Sequence, residues 1–230
     1  MLIIIIFFSG EMVWRDRQVG LSDIIDATPV HNAAVAMAKW VAMAAVVYTI
    51  IAVSLLAGMI VQTFIGDAPV NIMTYAKFGF ISIGISTLFS IAMALFVQNF
   101  APHKVLGMFA AAGILIGLGF VRQIPFYHPI MDYGTVGFGP LSEINGFRDA
   151  SVLNGLWNLL YWGSLIALFA IFTIWIWRRG QQTQILSRFR GMKRHMTTAT
   201  LGLAVLFGLG FIGTGPVSYT HLTLPTIYSV

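Results

Sequence analysis

The sequence of 230 residues contains no cysteine, and only 9% of its residues are charged. The lack of cysteine excludes disulfide bonds, thiolate metal sites and a cysteine nucleophile. With 58% hydrophobic residues and a mean hydropathy of +0.85, the low charge excludes a soluble domain and is typical of a protein that crosses a membrane several times. The net charge of +5 does not indicate nucleic-acid binding, because the basic residues cluster in short loops beside apolar runs.

Four apolar segments are long enough, at about 20 residues, to cross the hydrocarbon core of a bilayer. They cover residues 40–61, 78–97, 105–121 and 156–177. The sequence therefore predicts an all-α, polytopic membrane protein with a bundle of four complete transmembrane helices. The segment 40–177 forms this membrane domain, and its outer loop is residues 122–154.

The two ends of the chain carry shorter apolar runs. Residues 1–9 are expected to be the end of a truncated span, and residues 199–213 the start of a further span, so that the chain is a fragment. The stretch "PVSYTHLTLPTIYSV" at the end resembles a translated sequencing adapter. We therefore expect residues 214–230 to be a non-native tail, with a genuine periplasmic strand as the alternative.

Lysine and arginine in the short loops predict the orientation of the spans. A cytoplasmic location for residues 10–39, 98–104 and 178–198 places ten of the thirteen basic residues on one side. The basic loop 178–198 is explained by this bias and by contact with anionic lipids.

Several kinds of chemistry have no motif in the sequence. No ionisable residue lies deep in a predicted span, which argues against a proton or ion pathway. There is neither a G-x-x-x-x-G-K-[ST] phosphate-binding loop nor an HExxH zinc motif, so we expect no enzyme activity and no cofactor in this chain. His128 and Asp132 are four residues apart in the outer loop, but two ligands without a third predict an ordinary loop pair rather than a metal site.

The segment "GEMVWRDRQVGLSDIIDATPV", residues 10–30, is too polar for a bilayer. Leu21, Ile24 and Ile25 follow the spacing of one helical face, and Pro29 marks the end of the predicted short helix. From the residues alone, this helix either lies on the lipid headgroups or docks on a partner. Asp23 and Asp26 weaken the first alternative, because anionic headgroups would repel them.

The longer stretch "GEMVWRDRQVGLSDIIDATPVHNAAVAMAKW" closely resembles the cytoplasmic loop of type 2 ABC-transporter permeases. In that family the loop follows the second of six spans and carries a coupling helix that fits a groove on the ATPase. The resemblance implies a multi-pass protein of the cytoplasmic membrane of a bacterium, with an ABC ATPase subunit that binds ATP and with a second permease half or a homodimer. The residues that would flank or form the docking surface are Glu11, Arg15, Asp16, Arg17, Leu21, Asp23, Ile24, Ile25, Asp26, Thr28 and Pro29.

A narrower resemblance involves "SGEMVWRDR", "DATPV" and, in the outer loop, "LSEINGF". These stretches are similar to large permeases that are fused to a zinc aminopeptidase-like domain. The alternative function is therefore the membrane anchor of a zinc metallopeptidase whose catalytic domain is missing from this chain. A third alternative is a membrane scaffold without an ATPase partner.

Overall fold

The computed structural model describes residues 1–28, 30–65, 70–136, 149–177 and 185–223, which form α-helices and no β-strand. A π-helical segment, Lys77–Ile83, joins α4 to α5. The helices are α1 (Leu2–Gln18), α2 (Ser22–Ala27), α3 (Asn32–Ile65), α4 (Ile72–Ala76), α5 (Gly84–Phe100), α6 (Lys104–Gly119), α7 (Asp149–Trp175), α8 (Ile185–Gly191) and α9 (Thr198–Thr223).

Four helical stretches in the described residues are long and apolar enough to cross a membrane, judged by length and composition. They are Asn32–Ile65, Ile72–Phe100, Gly155–Trp175 and Thr198–Val217. The predicted all-α, polytopic fold is thereby confirmed. The fourth stretch lies where the sequence predicts only the start of a span, and Pro216 is inside α9.

The predicted span over 105–121 is shorter in the structure. Helix α6 has 16 residues, which at 1.5 Å per residue is about 24 Å, less than the hydrocarbon thickness of about 30 Å. The helix ends at Gly119, after which Val121–Gln123 form a 3₁₀ turn just before Pro125. The hydropathy pattern extends past this end because Phe120 and Val121 are apolar but no longer α-helical.

The mixed-charge segment after Phe8, which the sequence analysis places in a loop, is helical. Helix α1 begins at Leu2 in the apolar run and continues through this segment to Gln18 without a break. Arg15 and Arg17 lie in the last turn, where positive charge interacts favourably with the helix dipole. The polar loop between α1 and α3 is accordingly much shorter than predicted, and α2 lies within it.

The buried core lies where α1, α3, α5 and α6 pack against one another. Because lipid chains are as apolar as these side chains, close packing rather than the hydrophobic effect holds such helices together. At Gly79 in the π-helical segment, an added Cβ would overlap the side chain of Leu55 on α3. The core residues are Ile5, Met43, Val47, Ile51, Ile91, Met93, Ala94, Leu95, Ala111 and Leu115.

Helix α9 packs along α7, which in turn packs on α5 and α3. The rings of Tyr161 and Phe211 stack with their centroids 4.5 Å apart. This hairpin completes the bundle. It also brings the connection between α7 and α9 to the same end as the loop that carries α2.

Candidate functional site

Three connections meet at one end of the bundle, which we call the basic end. They join α1 to α3, α5 to α6, and α7 to α9, and these are the segments that the sequence predicts on one side of the membrane. The contacts that join them are Trp14 with Gln98, Lys104 with Glu11, Asn32 with His195 and Arg188 with Asn99. The three connections are therefore neighbours in the structure, and their cytoplasmic location stays a prediction.

Helix α2 follows a turn at Gly20, whose φ of +73° is in the left-handed region that favours glycine. The helix covers Ser22–Ala27, as the spacing of its apolar residues predicts. Thr28 has an extended backbone, and its hydroxyl donates a hydrogen bond to the carbonyl of Ile25 at 2.6 Å. Pro29 lies outside the described residues.

The apolar side chains of α2 and its N-cap do not all lie on one face. Leu21 and Ile24 point to solvent and are 48% and 65% exposed. Ile25 and Asp26 are half-buried and line a small polar pocket between α1, α2 and α3. The outward apolar surface of α2 therefore consists of Leu21 and Ile24, with the exposed side chains of Asp23 and Thr28 beside it.

Lys39, near the start of α3, joins the two helices that flank α2. Its ammonium group lies 2.5 Å from the carboxylate of Asp16 and also donates a hydrogen bond to the carbonyl of Met12. Since 13% of the Lys39 side chain is exposed, this pair is shielded from solvent more than an ordinary surface salt bridge. It fixes α1 against α3, the helices before and after the short helix in the chain.

A second ion pair joins α1 to α6. Lys104, at the first position of α6, pairs with Glu11. Helices α1 and α6 approach closely at this level, because a Cβ on Gly10 would overlap Met108. Helix α6 also lies close to α5, because a Cβ on Gly107 would overlap Gln98. Of the predicted charged residues, Glu11 and Asp16 therefore act within the chain as anchors.

Arg17 lies half-buried between the carboxylates of Asp16 and Asp26. Burial lowers the pKa of Arg17, while the negative charges of Asp26 and Asp16 act in the opposite direction. Arg15 is exposed, and it is the one predicted basic residue of this segment that is available to a partner without rearrangement.

A layer of polar side chains binds carbonyl groups at the C-terminal ends of two spans. Asn99 and Asn32 donate to the carbonyls of Thr173 and Ile174 at 3.4 and 3.3 Å, in the last turn of α7. Arg188 donates to the carbonyl of Asn99 at 2.7 Å, near the end of α5. These carbonyls have no partner within their own helix, so the side chains satisfy them and link the spans.

The sequence does not predict the burial of Arg188. The positive-inside bias and lipid contact explain the whole basic run, whereas Arg188 is 4% exposed and Arg190 is exposed. No spacing signal separates the two residues, because their difference depends on how α8 packs. The sequence positions of Asn32 and Asn99 at the ends of apolar runs are the signal that such helix ends carry caps.

The outer loop does not join His128 to Asp132. The Tyr127 hydroxyl donates to the Asp132 carboxylate at 2.6 Å, and the amide of Ile130 donates to Nδ1 of His128 at 3.2 Å. Burial lowers the pKa of His128, and burial raises that of Tyr133, whose hydroxyl donates to the carbonyl of Phe89. In the described part of the chain, no three potential ligands converge to form a metal site.

Some predicted residues lie outside the described ranges. They include Arg178, Arg179 and the outer-loop stretch 141–147, on which part of the narrower resemblance depends. Comparison of this chain with protein-family models, with curated proteins and with solved structures found no match.

Proposed function

We propose that this chain is the membrane-spanning permease subunit of an ATP-driven ABC transporter in the cytoplasmic membrane of a bacterium. A separate ABC ATPase subunit binds and hydrolyses ATP, and the substrate crosses between this chain and a second permease half or a second copy. The observation that carries the proposal is α2, a helix of six residues at the basic end whose exposed side includes Leu21 and Ile24. The resemblance of residues 10–40 to the coupling loop of type 2 permeases supports it.

The surroundings of α2 suit a helix that transmits a push. Asp16 and Lys39 hold together α1 and α3, the helices that precede and follow α2 in the chain. Asn99 and Asn32 link α5 and α3 to the end of α7. When the ATPase closes, a displacement of α2 would therefore reach several spans at once and shift the bundle between two packings.

Replacement of both exposed apolar residues tests the proposal. We expect Leu21→Asp with Ile24→Asp to abolish co-purification of the proposed ABC ATPase subunit. Each of these apolar side chains contributes about 1.5–3 kcal/mol when it becomes buried against the ATPase. The loss of both therefore weakens the complex at least about a hundredfold. Ile25 is not used in this test, because its side chain lines the polar pocket inside the chain and a charge there would disturb the fold.

The matched control is Ile124→Asp with Phe126→Asp. Both residues are exposed apolar side chains in the loop at the opposite end of the bundle. This variant carries the same change in charge and should retain the ATPase. Retention of the ATPase by the Leu21 and Ile24 double variant, at the level of this control, would contradict the proposed coupling role.

A further inference from the structure

The apolar stretch Ile72–Phe100 contains a break in its hydrogen-bond pattern. Between α4 and α5, the residues Lys77–Ile83 form a π-helix, a rare conformation in which each bond reaches one residue further than in an α-helix. At its end, the amide of Gly84 donates to the carbonyl of Gly79, five residues back. In an α-helix that amide would donate to Phe80, four residues back. The carbonyl of Phe80 is therefore bypassed inside an apolar span.

Tyr48 of α3 is placed to satisfy this carbonyl. Its hydroxyl donates to the Phe80 carbonyl at 3.4 Å, and the rings of the two residues stack with their centroids 6.0 Å apart. Gly84 leaves room for the hydroxyl, because a Cβ there would lie 2.7 Å from the hydroxyl oxygen. A hydrogen bond of 3.4 Å is long, so it holds the π-helical conformation only weakly. Without it, an unpaired carbonyl in an apolar span favours a return to the α-helical pattern.

The two helices that the π-helical segment joins are held to different degrees. Helix α5 packs on α1, α3, α6 and α7 and contributes to the buried core. Helix α4, in the described part of the chain, packs chiefly on α3, where the Tyr75 hydroxyl donates to Oε1 of Gln62. Ile72 and Met73 of α4 are exposed. Helix α4 can therefore move on the surface of the bundle while α5 stays in place.

The contact between the π-helical segment and α3 depends on which residue faces α3. Gly79 approaches Leu55 of α3 so closely that an added Cβ would overlap the leucine side chain. If the segment became α-helical with α5 fixed, Phe80 would move into the position of Gly79, and α4 would turn by about 100° and advance by about 1.5 Å. A phenylalanine side chain does not fit between the helices at this position. The change to an α-helix would therefore separate α4 from α3.

We propose that the π-helical segment is a gate at the end of the bundle opposite the basic end. In the closed state, which the structure shows, the segment is π-helical, Tyr48 binds the Phe80 carbonyl and α4 lies on α3. In the open state the segment is α-helical, Phe80 takes the place of Gly79, and α4 is displaced from α3. Opening uncovers the part of α3 that Tyr75 covers. This inference does not depend on the proposed transport function.

Electron paramagnetic resonance between two spin labels tests the gate, because the chain has no natural cysteine to remove. Labels on Thr63→Cys and Met73→Cys, both at exposed positions, report the distance between the end of α3 and α4. In the full chain, reconstituted in lipid vesicles, we expect two distances, of which the shorter belongs to the closed state. Tyr48→Phe removes the partner of the bypassed carbonyl. It should raise the ratio of the longer to the shorter distance about threefold, as expected for a modest hydrogen bond.

Two further variants separate the gate from general loosening of the bundle. After deletion of Ile81, the amide of Gly84 reaches Gly79 in the four-residue step of an α-helix, so that α4 keeps its place on α3. We expect only the shorter distance in this variant, and Tyr48→Phe should not change it further. Tyr161→Phe removes a tyrosine hydroxyl from α7, where the ring packs on α9, and should leave the ratio unchanged. Circular dichroism checks the helical content of each variant.

Three results would overturn the proposal. A single distance in both the wild-type chain and Tyr48→Phe would mean that the segment has one conformation. Two distances in the Ile81 deletion would mean that α4 moves independently of the π-helix. An equal change of the ratio in Tyr161→Phe would assign the effect to general loosening. If the deletion prevents folding, the comparison of Tyr48→Phe with Tyr161→Phe decides.

Discussion

Lys39 shows how a charged residue is accommodated in a helix that crosses the membrane. It lies about two turns inside α3, which begins at Asn32, yet its ammonium group has the carboxylate of Asp16 and the carbonyl of Met12 as partners. Removal of one partner from a shielded ion pair leaves the other charge without compensation, which costs more than the pair contributes.

We therefore expect Lys39→Met to lower the free energy of unfolding by about 1–3 kcal/mol. Asp16→Asn in the same chain should recover part of this loss, because no uncompensated carboxylate remains. Thermal unfolding in detergent of the two single variants and the double variant measures the coupling. Strictly additive losses would mean that the pair does not stabilise the fold, and the Glu11–Lys104 pair provides a second cycle for comparison.

We expect His128 to make the outer loop sensitive to acid. Burial lowers the pKa of His128, so the unfolded chain binds a proton more readily than the folded chain. Stability contributed by this loop is present above about pH 6.5, the usual value for histidine, and falls as the pH drops below it. Protonation would also remove the hydrogen bond that Nδ1 accepts from the amide of Ile130.

The measurement is the unfolding temperature between about pH 7.5 and pH 5.5, which spans that value. His128→Asn should reduce the acid sensitivity, because an asparagine oxygen can accept the same backbone amide at every pH in this range. An unchanged acid response in this variant would assign the sensitivity to other groups.

The turn between α1 and α2 sets the direction of α2, and it depends on one backbone angle. Gly20 has a φ of +73°, and a Cβ added there would contact nothing within 4 Å. Gly20→Val should therefore act through backbone strain alone, at a cost of about 1–2 kcal/mol, and asparagine at this position should cost less. Gly113→Val is the control, because Gly113 has open space around it in α6 without a positive φ.

The test of Gly20 combines the unfolding temperature with ATPase co-purification. We expect Gly20→Val to reduce both, because α2 would be displaced from its position against α1 and α3. If the valine variant retains both while Gly113→Val loses stability, the turn is not a constraint on α2.

The positions of α3, α5 and α7 follow from hydropathy, and that of α2 follows from the spacing of Leu21, Ile24 and Ile25. The same pattern does not reveal that Ile25 is inward while Leu21 and Ile24 are outward, because this depends on where α1 and α3 lie. It also does not reveal the early end of α6, since the residues beyond Gly119 are equally apolar. The burial of Arg188 depends on contacts between distant segments, which no local pattern encodes.

The natural absence of cysteine allows a direct test of the topology of the assembled chain. A single cysteine at Ile24 and one at Phe126 would lie at opposite ends of the bundle on exposed side chains. In intact cells, a membrane-impermeant maleimide should label the cysteine at position 126 and not the one at position 24. Inverted vesicles should give the reverse pattern, and labelling of both positions from one side would contradict the predicted orientation.

The shortness of α6 affects the bilayer as well as the protein. Its 16 residues span about 24 Å, whereas the hydrocarbon layer is about 30 Å thick. Such hydrophobic mismatch is relieved when lipids beside the short helix compress towards it or when flanking cations extend to the surface, and each has a small energetic cost per ångström. Lys104, at the start of α6, is already paired with Glu11 and so is not free to extend. We therefore expect the bilayer to be thinner beside α6 than around the longer helices.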